Sequence, residues 1–554
     1  MVQENLIKLF EDSLRSNWDL PGYSDFGENR NFTYAEIAKK VAEFHILFEQ
    51  CGIERNEKIA LLGRNSSHWA ITYVATVTYG AVIVPILHDF NPNDVQHIVN
   101  HSESKLLFVG EGLWEPLKDK EFSHVKTVFS LQDFSCITQK DKNQHLQPKN
   151  IAKLFSEKYP NGYSSEDLCY AEKSNNELAS INYTSGTTGF SKGVMTTCNN
   201  LAGNVTFGFR TKLIGPGYRI VSFLPLAHAY GCAFDFVAST CAGCHINFIG
   251  KIPSPKILLR AFAEVKPTTI FTVPLIIEKI YKKQVLRVIS KPIIKVILKI
   301  PGLNQLILSK IRKKLITAFG GEFKEVVIGG APLSAEVEEF FRKMKFPFTV
   351  GYGMTECAPL ISYSNHKDFK LKSCGKILDI MEVKIRKPDL ETGIGEICVR
   401  GENVMDGYYK NPEATAEIFE DGWLRTGDLG TVDADGTIYI RGRAKTMILS
   451  GSGQNIYPEE IEAKLNNLPY IAESLVLQDG GKLVALIYTD SEAVDAEQLS
   501  PEQLDKKMEE NRQNVNTILG SYEKITKIKI FPNEFEKTPK KSIKRFLYSA
   551  EGLK

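Results

Sequence analysis

Residues 183–194, Tyr-Thr-Ser-Gly-Thr-Thr-Gly-Phe-Ser-Lys-Gly-Val, pack three glycines, five Ser/Thr hydroxyls and one lysine into twelve positions. An apolar, β-prone run, Leu178 to Tyr183, leads into the stretch, and Val194-Met195 leads out of it. Gly186, Gly189 and Gly193 permit backbone conformations that turn several N–H groups toward one concave side. Thr184, Ser185, Thr187, Thr188 and Ser191 add hydroxyl donors, and Lys192 adds a point positive charge. Such a loop suits a polyphosphate. It is not the Walker pattern, because Gly-x-x-x-x-Gly-Lys-Ser/Thr is absent from it.

Outward from this loop, short β-branched runs alternate with amphipathic helical patterns. Lys58 to Leu62, Val82 to Leu87 and Lys105 to Val109 read as strands, and Tyr34 to Cys51 and Asn91 to Ser102 as helices. This alternation predicts parallel α/β layers. From Gly375 to Gly442 the pattern changes to short strands and turns, which predicts a β-rich subdomain. A compact α+β segment follows Arg443, containing Pro458 to Leu465, Glu473 to Gln478, Leu483 to Tyr488 and a polar helix near Pro501 to Leu519.

The chain of 554 residues exceeds one core, and length alone suggests about three or four domain-sized units. Apolar residues at 43% and charged residues at 24% are ordinary for a globular protein, and a net charge of +2 gives no reason to expect nucleic acid as a partner. Met1 to Trp18 does not read as a signal peptide, and no apolar run is long enough to span a bilayer. The ten cysteines lack framework spacing, so reduced thiols and a cytoplasmic location are expected. Cys241-Ala-Gly-Cys244-His245 matches a haem-attachment spacing, but its apolar flanks read as structural thiols instead.

The phosphate-type loop resembles that of the adenylate-forming enzymes, which include acyl-CoA synthetases, luciferases and peptide-synthetase adenylation domains. Further motifs follow in the family's order. Leu224-Pro-Leu-Ala-His-Ala-Tyr-Gly231 resembles its acyl-pocket motif. Gly329-Gly-Ala-Pro-Leu-Ser334 and Gly351-Tyr-Gly-Met-Thr-Glu356 resemble its adenine and magnesium motifs. Gly395 to Gly401 resembles its structural strand, Trp423 to Asp428 its ribose motif, Gly442-Arg-Ala-Lys445 its hinge, and Gly451 to Glu462 the loop after it. The resemblance spans roughly residues 30 to 548, and the Gly329–Ser334 block with the basic segment before it is most like bacterial long-chain fatty acyl-CoA synthetases.

That resemblance implies an N-terminal adenylate-forming domain over 1–442, β-rich from about 375, and a small mobile α+β domain over 443–554. It implies ATP-dependent ligation of a medium- to long-chain fatty acid to coenzyme A through an acyl-AMP, with Mg²⁺. The alternatives are an adenylating ligase for an aryl acid or a carrier protein, and a nucleotide-binding protein that has lost adenylation. Implied ATP and AMP contacts are Thr184, Ser185, Gly186, Thr187, Thr188, Gly189, Lys192, Gly330, Ala331, Pro332, Gly351, Tyr352, Gly353, Thr355, Asp428 and Arg443. Glu356 is the implied metal ligand with help from Thr184, His228 meets the substrate carboxylate, Lys445 is the hinge, and Gly451 and Gly453 line the CoA tunnel. Taken alone, Glu356 reads as a helix-terminal acid, Tyr352 as packing and His228 as structural, while the loop at Gly451–Gly453 has a flexible turn as its alternative.

Two positions depart from the family. Ser191 stands where a proline usually precedes the loop lysine, and Ser542 stands where the C-terminal motif carries its lysine. Lys541 is the expected substitute for that cation, ahead of Lys540 and Lys544.

Residues 279–314 hold eleven Lys/Arg and no Asp or Glu. Arg287, Lys291, Lys295 and Lys299 recur every four residues, the spacing of one helix face, with Pro292 and Pro301-Gly302 as breaks. Two readings stand side by side: a helix lying peripherally on the anionic inner membrane face, and a solvated basic face on a docked helix. Oligomeric state is left open by the sequence.

Overall fold

The structure, a computed structural model, describes residues 2–548 except 142–145, 185–190, 252, 290, 301, 450–453 and 539–541. Three consecutive strands, β1 (Lys58–Leu62), β2 (Val82–Ile86) and β3 (Leu106–Val109), pair in parallel, with β1 between the other two. The connecting helices Ser67–Thr78 and Pro92–His101 have caps readable in the sequence. Ser66 accepts from the Trp69 amide, and Asn91 precedes a first-turn proline. Helix Ser67–Thr78 buries every side chain except His68, as an all-round apolar helix must.

β4 (Leu178–Thr184) joins β2 in parallel, and β5 (Lys192–Thr197) runs antiparallel beside β4. Thr184 and Lys192, at the two ends of the hydroxyl-rich stretch, are therefore paired residues of one eight-stranded sheet. The short strand Gly407–Tyr408 closes that sheet against β5. Another sheet is wholly parallel, in the order β6 (Thr269–Thr272), β7 (Glu325–Ile328), β8 (Phe348–Val350). A five-stranded antiparallel sheet holds Met381–Arg386, Gly395–Gly401, β9 (Trp423–Val432), Phe419–Glu420 and β10 (Ile438–Arg443).

The residues after β10 pack a core of their own. Ile461, Leu465, Val476 and Ile487 close one face of the sheet Ile471–Asp479, Lys482–Thr489 and Ile525–Ile530, and Leu475, Leu486 and Phe535 the other. Arg545 pairs with the buried Glu462 and ties the C-terminal segment to this unit. Several contacts join it to the larger part, among them that of Arg441, which lies 4.0 Å from Glu460. Lys282 Nζ donates to the Asn466 carbonyl at 2.7 Å, Asn467 Nδ2 donates to Ser334 Oγ at 2.6 Å, and Lys283 lies 3.4 Å from Glu492.

The four-residue recurrence of Arg287, Lys291, Lys295 and Lys299 does not form one helix face. The backbone turns at Lys291, and separate helices span Arg287–Ile289, Pro292–Ile297 and Leu303–Ala318. Pro292 starts a helix because its missing N–H costs nothing in a first turn, and the residue before it is pushed to extended backbone. Lys291 has ψ 132°, as that rule requires. Cys241 and Cys244 are buried, and His245 Nε2 bonds Ser24 Oγ at 2.8 Å, as expected of structural side chains.

Candidate active site

The motif residues gather where parallel strands end. β7 and β8 pair with Ile328 opposite Val350, and the Gly351 N–H donates to the Ile328 carbonyl at 2.9 Å. The loops Gly329–Pro332 and Gly351–Gly353 are therefore neighbours at the carboxyl edge of the sheet, the place where open α/β sheets hold ligands. Gly330, Ala331 and Pro332 are exposed, and Gly330 takes φ 85°. Gly353 admits no side chain, because a Cβ there would lie 2.2 Å from the Pro359 carbonyl oxygen.

Thr184 and Lys192 are cross-strand partners at the base of the β4–β5 hairpin, with Thr184 Oγ1 reaching the Lys192 carbonyl at 3.5 Å. Ser185, Gly186, Thr187, Thr188 and Gly189 lie outside the described residues, as do Gly451, Gly453 and Lys541. The Lys192 ammonium sits 5.0 Å from the centre of the Tyr408 ring. The Tyr408 hydroxyl donates to Glu356 Oε1 at 2.9 Å. One aromatic side chain thus holds the loop lysine by its π-face and the acidic residue by its hydroxyl. Burial first, and then the Glu356 carboxylate, push the Tyr408 phenol up, so it stays a donor at neutral pH. The Met405 N–H donates to the Glu356 carbonyl at 2.9 Å and fixes the 3₁₀ turn Thr355–Cys357 that presents the acid.

No group of three or more His, Cys, Asp or Glu side chains able to hold a metal occurs among the described residues. Glu356, with Thr184 as an added hydroxyl, is a hard-oxygen set too small to retain a divalent cation by itself. It fits Mg²⁺, which commonly takes one or two protein carboxylates and completes its shell with phosphate oxygens and water.

The second cluster centres on Asp428, which is 3% exposed. Arg443 Nε lies 2.7 Å from Asp428 Oδ1, because the two residues are opposed in the β9–β10 register. Tyr352 Oη donates to Oδ2 at 2.5 Å. Burial raises the Asp428 carboxyl, and the Arg443 guanidinium followed by the Tyr352 hydroxyl oppose the rise. The Glu356 charge adds to the rise after these. A carboxylate oxygen has lone pairs left after one bond, so Asp428 can still accept from a vicinal diol.

His228 is half-buried, and its Nδ1 accepts from the Tyr230 N–H at 3.3 Å. A neutral ring therefore presents Nε2–H. Lys445 is exposed in the turn after β10. Ser542 joins Thr538 through the Thr538 N–H to its carbonyl at 2.8 Å, and Lys544 lies 3.5 Å from Glu536. The structure thus brings Lys192 to Glu356, and Tyr352 to Asp428 and Arg443.

Sequence reasoning missed Tyr408 and Asp235. Tyr408 lies in Gly407-Tyr-Tyr, and only its pairing with Val194 of β5 brings it to the site. Asp235 left a signal, being the lone acid of the apolar π-helical stretch Gly231–Ala238 that follows the acyl-pocket motif. It is fully buried, its Oδ2 accepts at 3.4 Å from the Leu224 N–H, and its Oδ1 has no partner. Burial holds its carboxyl well above 3.8, so the folded chain keeps a proton that the unfolded chain releases. Stability from such a raised group is complete below 3.8 and is lost as pH rises toward the folded value. Asp235→Asn removes that loss. The variant gains on the wild type by up to about 1.4 kcal/mol per pH unit through this window, and the two converge at lower pH. Denaturant unfolding at several pH values measures the gap, and a constant gap contradicts the assignment.

Residues 10–409 match the AMP-binding enzyme family. Among curated relatives, mouse long-chain-fatty-acid--CoA ligase ACSBG1 is 28% identical over 508 residues, 85% of this chain and 68% of that protein. Long-chain-fatty-acid--CoA ligase FadD15 of Mycobacterium tuberculosis is 28% identical over 485 residues, 83% of this chain and 78% of that protein. Among solved structures, the anthranilate CoA ligase AuaEII in complex with anthranoyl-AMP superposes with a TM-score of 0.76 at 18% identity, over 98% of this chain and 96% of that one. ATP-bound MatB from Rhodopseudomonas palustris gives 0.73 at 22% identity, over 98% of each.

Proposed function

The chain belongs to the AMP-binding enzyme family, and from that premise we propose that it is a fatty acyl-CoA ligase acting on medium- to long-chain acids. A carboxylate is a poor acylating group. Its oxygen attacks the α-phosphorus of ATP, the bond to the β-phosphate breaks, and pyrophosphate leaves. The CoA thiolate then attacks the acyl carbonyl, and AMP leaves.

The observation that carries this reading is the Lys192–Tyr408–Glu356 linkage beside the Tyr352–Asp428–Arg443 cluster. Lys192 and the hydroxyls of the hairpin offset phosphate charge, and Thr355 addresses the α-phosphate. Glu356, with Thr184, would hold Mg²⁺, which supplies charge neutralisation on the phosphates. Tyr352 and the Gly330–Pro332 loop bound the adenine, while Asp428 and Arg443 take the ribose. His228 offers Nε2–H to the substrate carboxylate, and Lys541 supplies the cation that Ser542 cannot. The C-terminal unit, beginning near 443, turns about Lys445 between the two steps and brings Gly451 and Gly453 to the thiol. The relatives' names support the fatty acid and CoA as substrates.

AMP release from ATP, Mg²⁺, CoA and a panel of acids tests the assignment. Medium- to long-chain fatty acids are expected to give CoA-dependent AMP. Release with aryl acids only overturns the substrate class. Absence of pyrophosphate exchange with every acid overturns the ligase reading and leaves a nucleotide-binding protein.

A further inference from the structure

The motif Leu224–Gly231 follows the carboxyl end of strand Arg219–Ser222, which belongs to a four-stranded sheet separate from the sheet of Thr184 and Lys192. In the proposed reaction His228 meets the acid from one sheet, while Thr184 and Lys192 meet the phosphates from the other. The two sheets must therefore be held at a fixed distance. β1, β2 and β4 run in parallel, so Leu62 and Thr184 leave the eight-stranded sheet at the same edge. Asn65 follows Leu62 in the loop before helix Ser67–Thr78, and its side chain reaches across to the other sheet.

The crossing is a two-point grip. Asn65 Nδ2 donates to the Leu224 carbonyl at 2.7 Å, and Asn65 Oδ1 accepts from the Leu226 N–H at 3.0 Å. A side-chain amide carries a donor and an acceptor side by side, as a peptide group does. It therefore pairs with the backbone on both sides of Pro225, whose ring removes the N–H that a neighbouring strand would use. Asn65, Leu224 and Leu226 are all buried, so water does not substitute for either bond. From this grip the backbone leads directly to His228. The His228 N–H donates to the Pro225 carbonyl at 2.9 Å, and the Cys232 N–H donates to the His228 carbonyl at 2.9 Å. The turn is closely packed as well. A Cβ at Gly231 would lie 2.6 Å from the Pro225 carbonyl oxygen and 3.0 Å from that of Leu224. A shift of the backbone at Leu224–Leu226 is thus passed on to His228.

We propose that Asn65 is a positioning residue for adenylation. It aims His228 by holding the backbone on either side of Pro225, and it fixes the acid-binding turn to the sheet that carries Thr184 and Lys192. In this role it acts through His228 and touches no reacting atom. The role rests on the contact proposed between His228 and the substrate carboxylate. A carboxylate oxygen attacks the α-phosphorus only from a near-attack geometry, and a displacement of about 1 Å in such a site costs roughly 10²-fold in rate. An amide that only completed the core would act on stability and would be indifferent to the presence of the His228 ring.

A double-mutant cycle on acyl-AMP formation by the full chain tests the proposal. Asn65→Ala is expected to lower the rate at saturating acid and ATP by at least about tenfold, with the KM for ATP within about threefold of the wild type. His228→Ala is expected to lower the same rate. Adding Asn65→Ala to it should cost less than about twofold more, because the grip acts through a ring already removed. Asn65→Ser loses the two-point grip but keeps a small polar group, and it carries the same comparison if the alanine variant does not fold. An Asn65 substitution that costs the same factor with and without His228 overturns the proposal, and so does a near-normal rate in a folded Asn65 variant. A raised KM for ATP with an unchanged rate also overturns it, by making Asn65 part of the nucleotide site. A wild type that forms acyl-AMP with no acid overturns the ligase reading and this role with it, whereas an active wild type with an indifferent Asn65 overturns the role alone.

Discussion

Glu356→Ala is expected to lower acyl-AMP formation by about 10²–10³-fold, the usual cost of losing one preorganised charge-stabilising group. The loss should be accompanied by a weakened response to added Mg²⁺, because Glu356 is the carboxylate we propose as the metal ligand. Lys192→Ala should cost a comparable factor without altering the Mg²⁺ response. Tyr408→Phe separates positioning from chemistry. The ring stays under Lys192, and only the hydrogen bond to Glu356 is removed. A hydrogen bond to a charged group contributes roughly 1.5–3 kcal/mol, so the Mg²⁺ concentration for half-maximal rate should rise about tenfold. The maximal rate at saturating Mg²⁺ should stay near that of the wild type. A Tyr408→Phe variant with lowered maximal rate and unchanged Mg²⁺ requirement would show that Tyr408 does not act through Glu356. Near-normal rates in both alanine variants would remove the site itself.

Lys445→Pro should separate the two half-reactions. The described backbone bonds of this turn run from the Ala444 N–H to the Gly427 carbonyl and from the Thr446 and Met447 N–H groups to the Arg443 carbonyl. None uses the Lys445 amide, so a proline there removes no hydrogen bond from the present arrangement. It does fix φ, and a pivot needs φ and ψ to change. Acyl-AMP formation is therefore expected to survive within a few-fold, while acyl-CoA formation falls by more than about tenfold. Rapid-quench measurement of each step distinguishes them. Equal loss of both steps places the pivot elsewhere or indicates a general packing defect.

Local chemistry made much of the scaffold legible. Lys58–Leu62 is a strand at both predicted ends, and the Asn91-Pro92 start of its helix is a cap plus a first-turn proline. The Asp428–Arg443 pair was reachable as two motif residues, and the β9–β10 register makes it a contact. Tyr408 was not legible. Its role depends on a strand pairing across more than two hundred residues, and Gly-Tyr-Tyr has no local signature. The basic segment shows the opposite failure. Its charge spacing suggested one helix face, yet Pro292 overrode the periodicity because the residue before a proline cannot stay helical. Asp235 could have been flagged by composition, since an isolated acid within an apolar run is either orphaned or protonated.

The Lys282–Asn466 bond and the Lys283–Glu492 pair set two cations of the basic segment against the C-terminal unit. Burial lowers the Lys282 ammonium in this arrangement. Any displacement of the C-terminal unit that breaks these contacts would return both cations to water, where they are fully hydrated and screened. Salt weakens the Lys283–Glu492 attraction without cost to the separated charges, so ionic strength would favour the displaced arrangement over the present one.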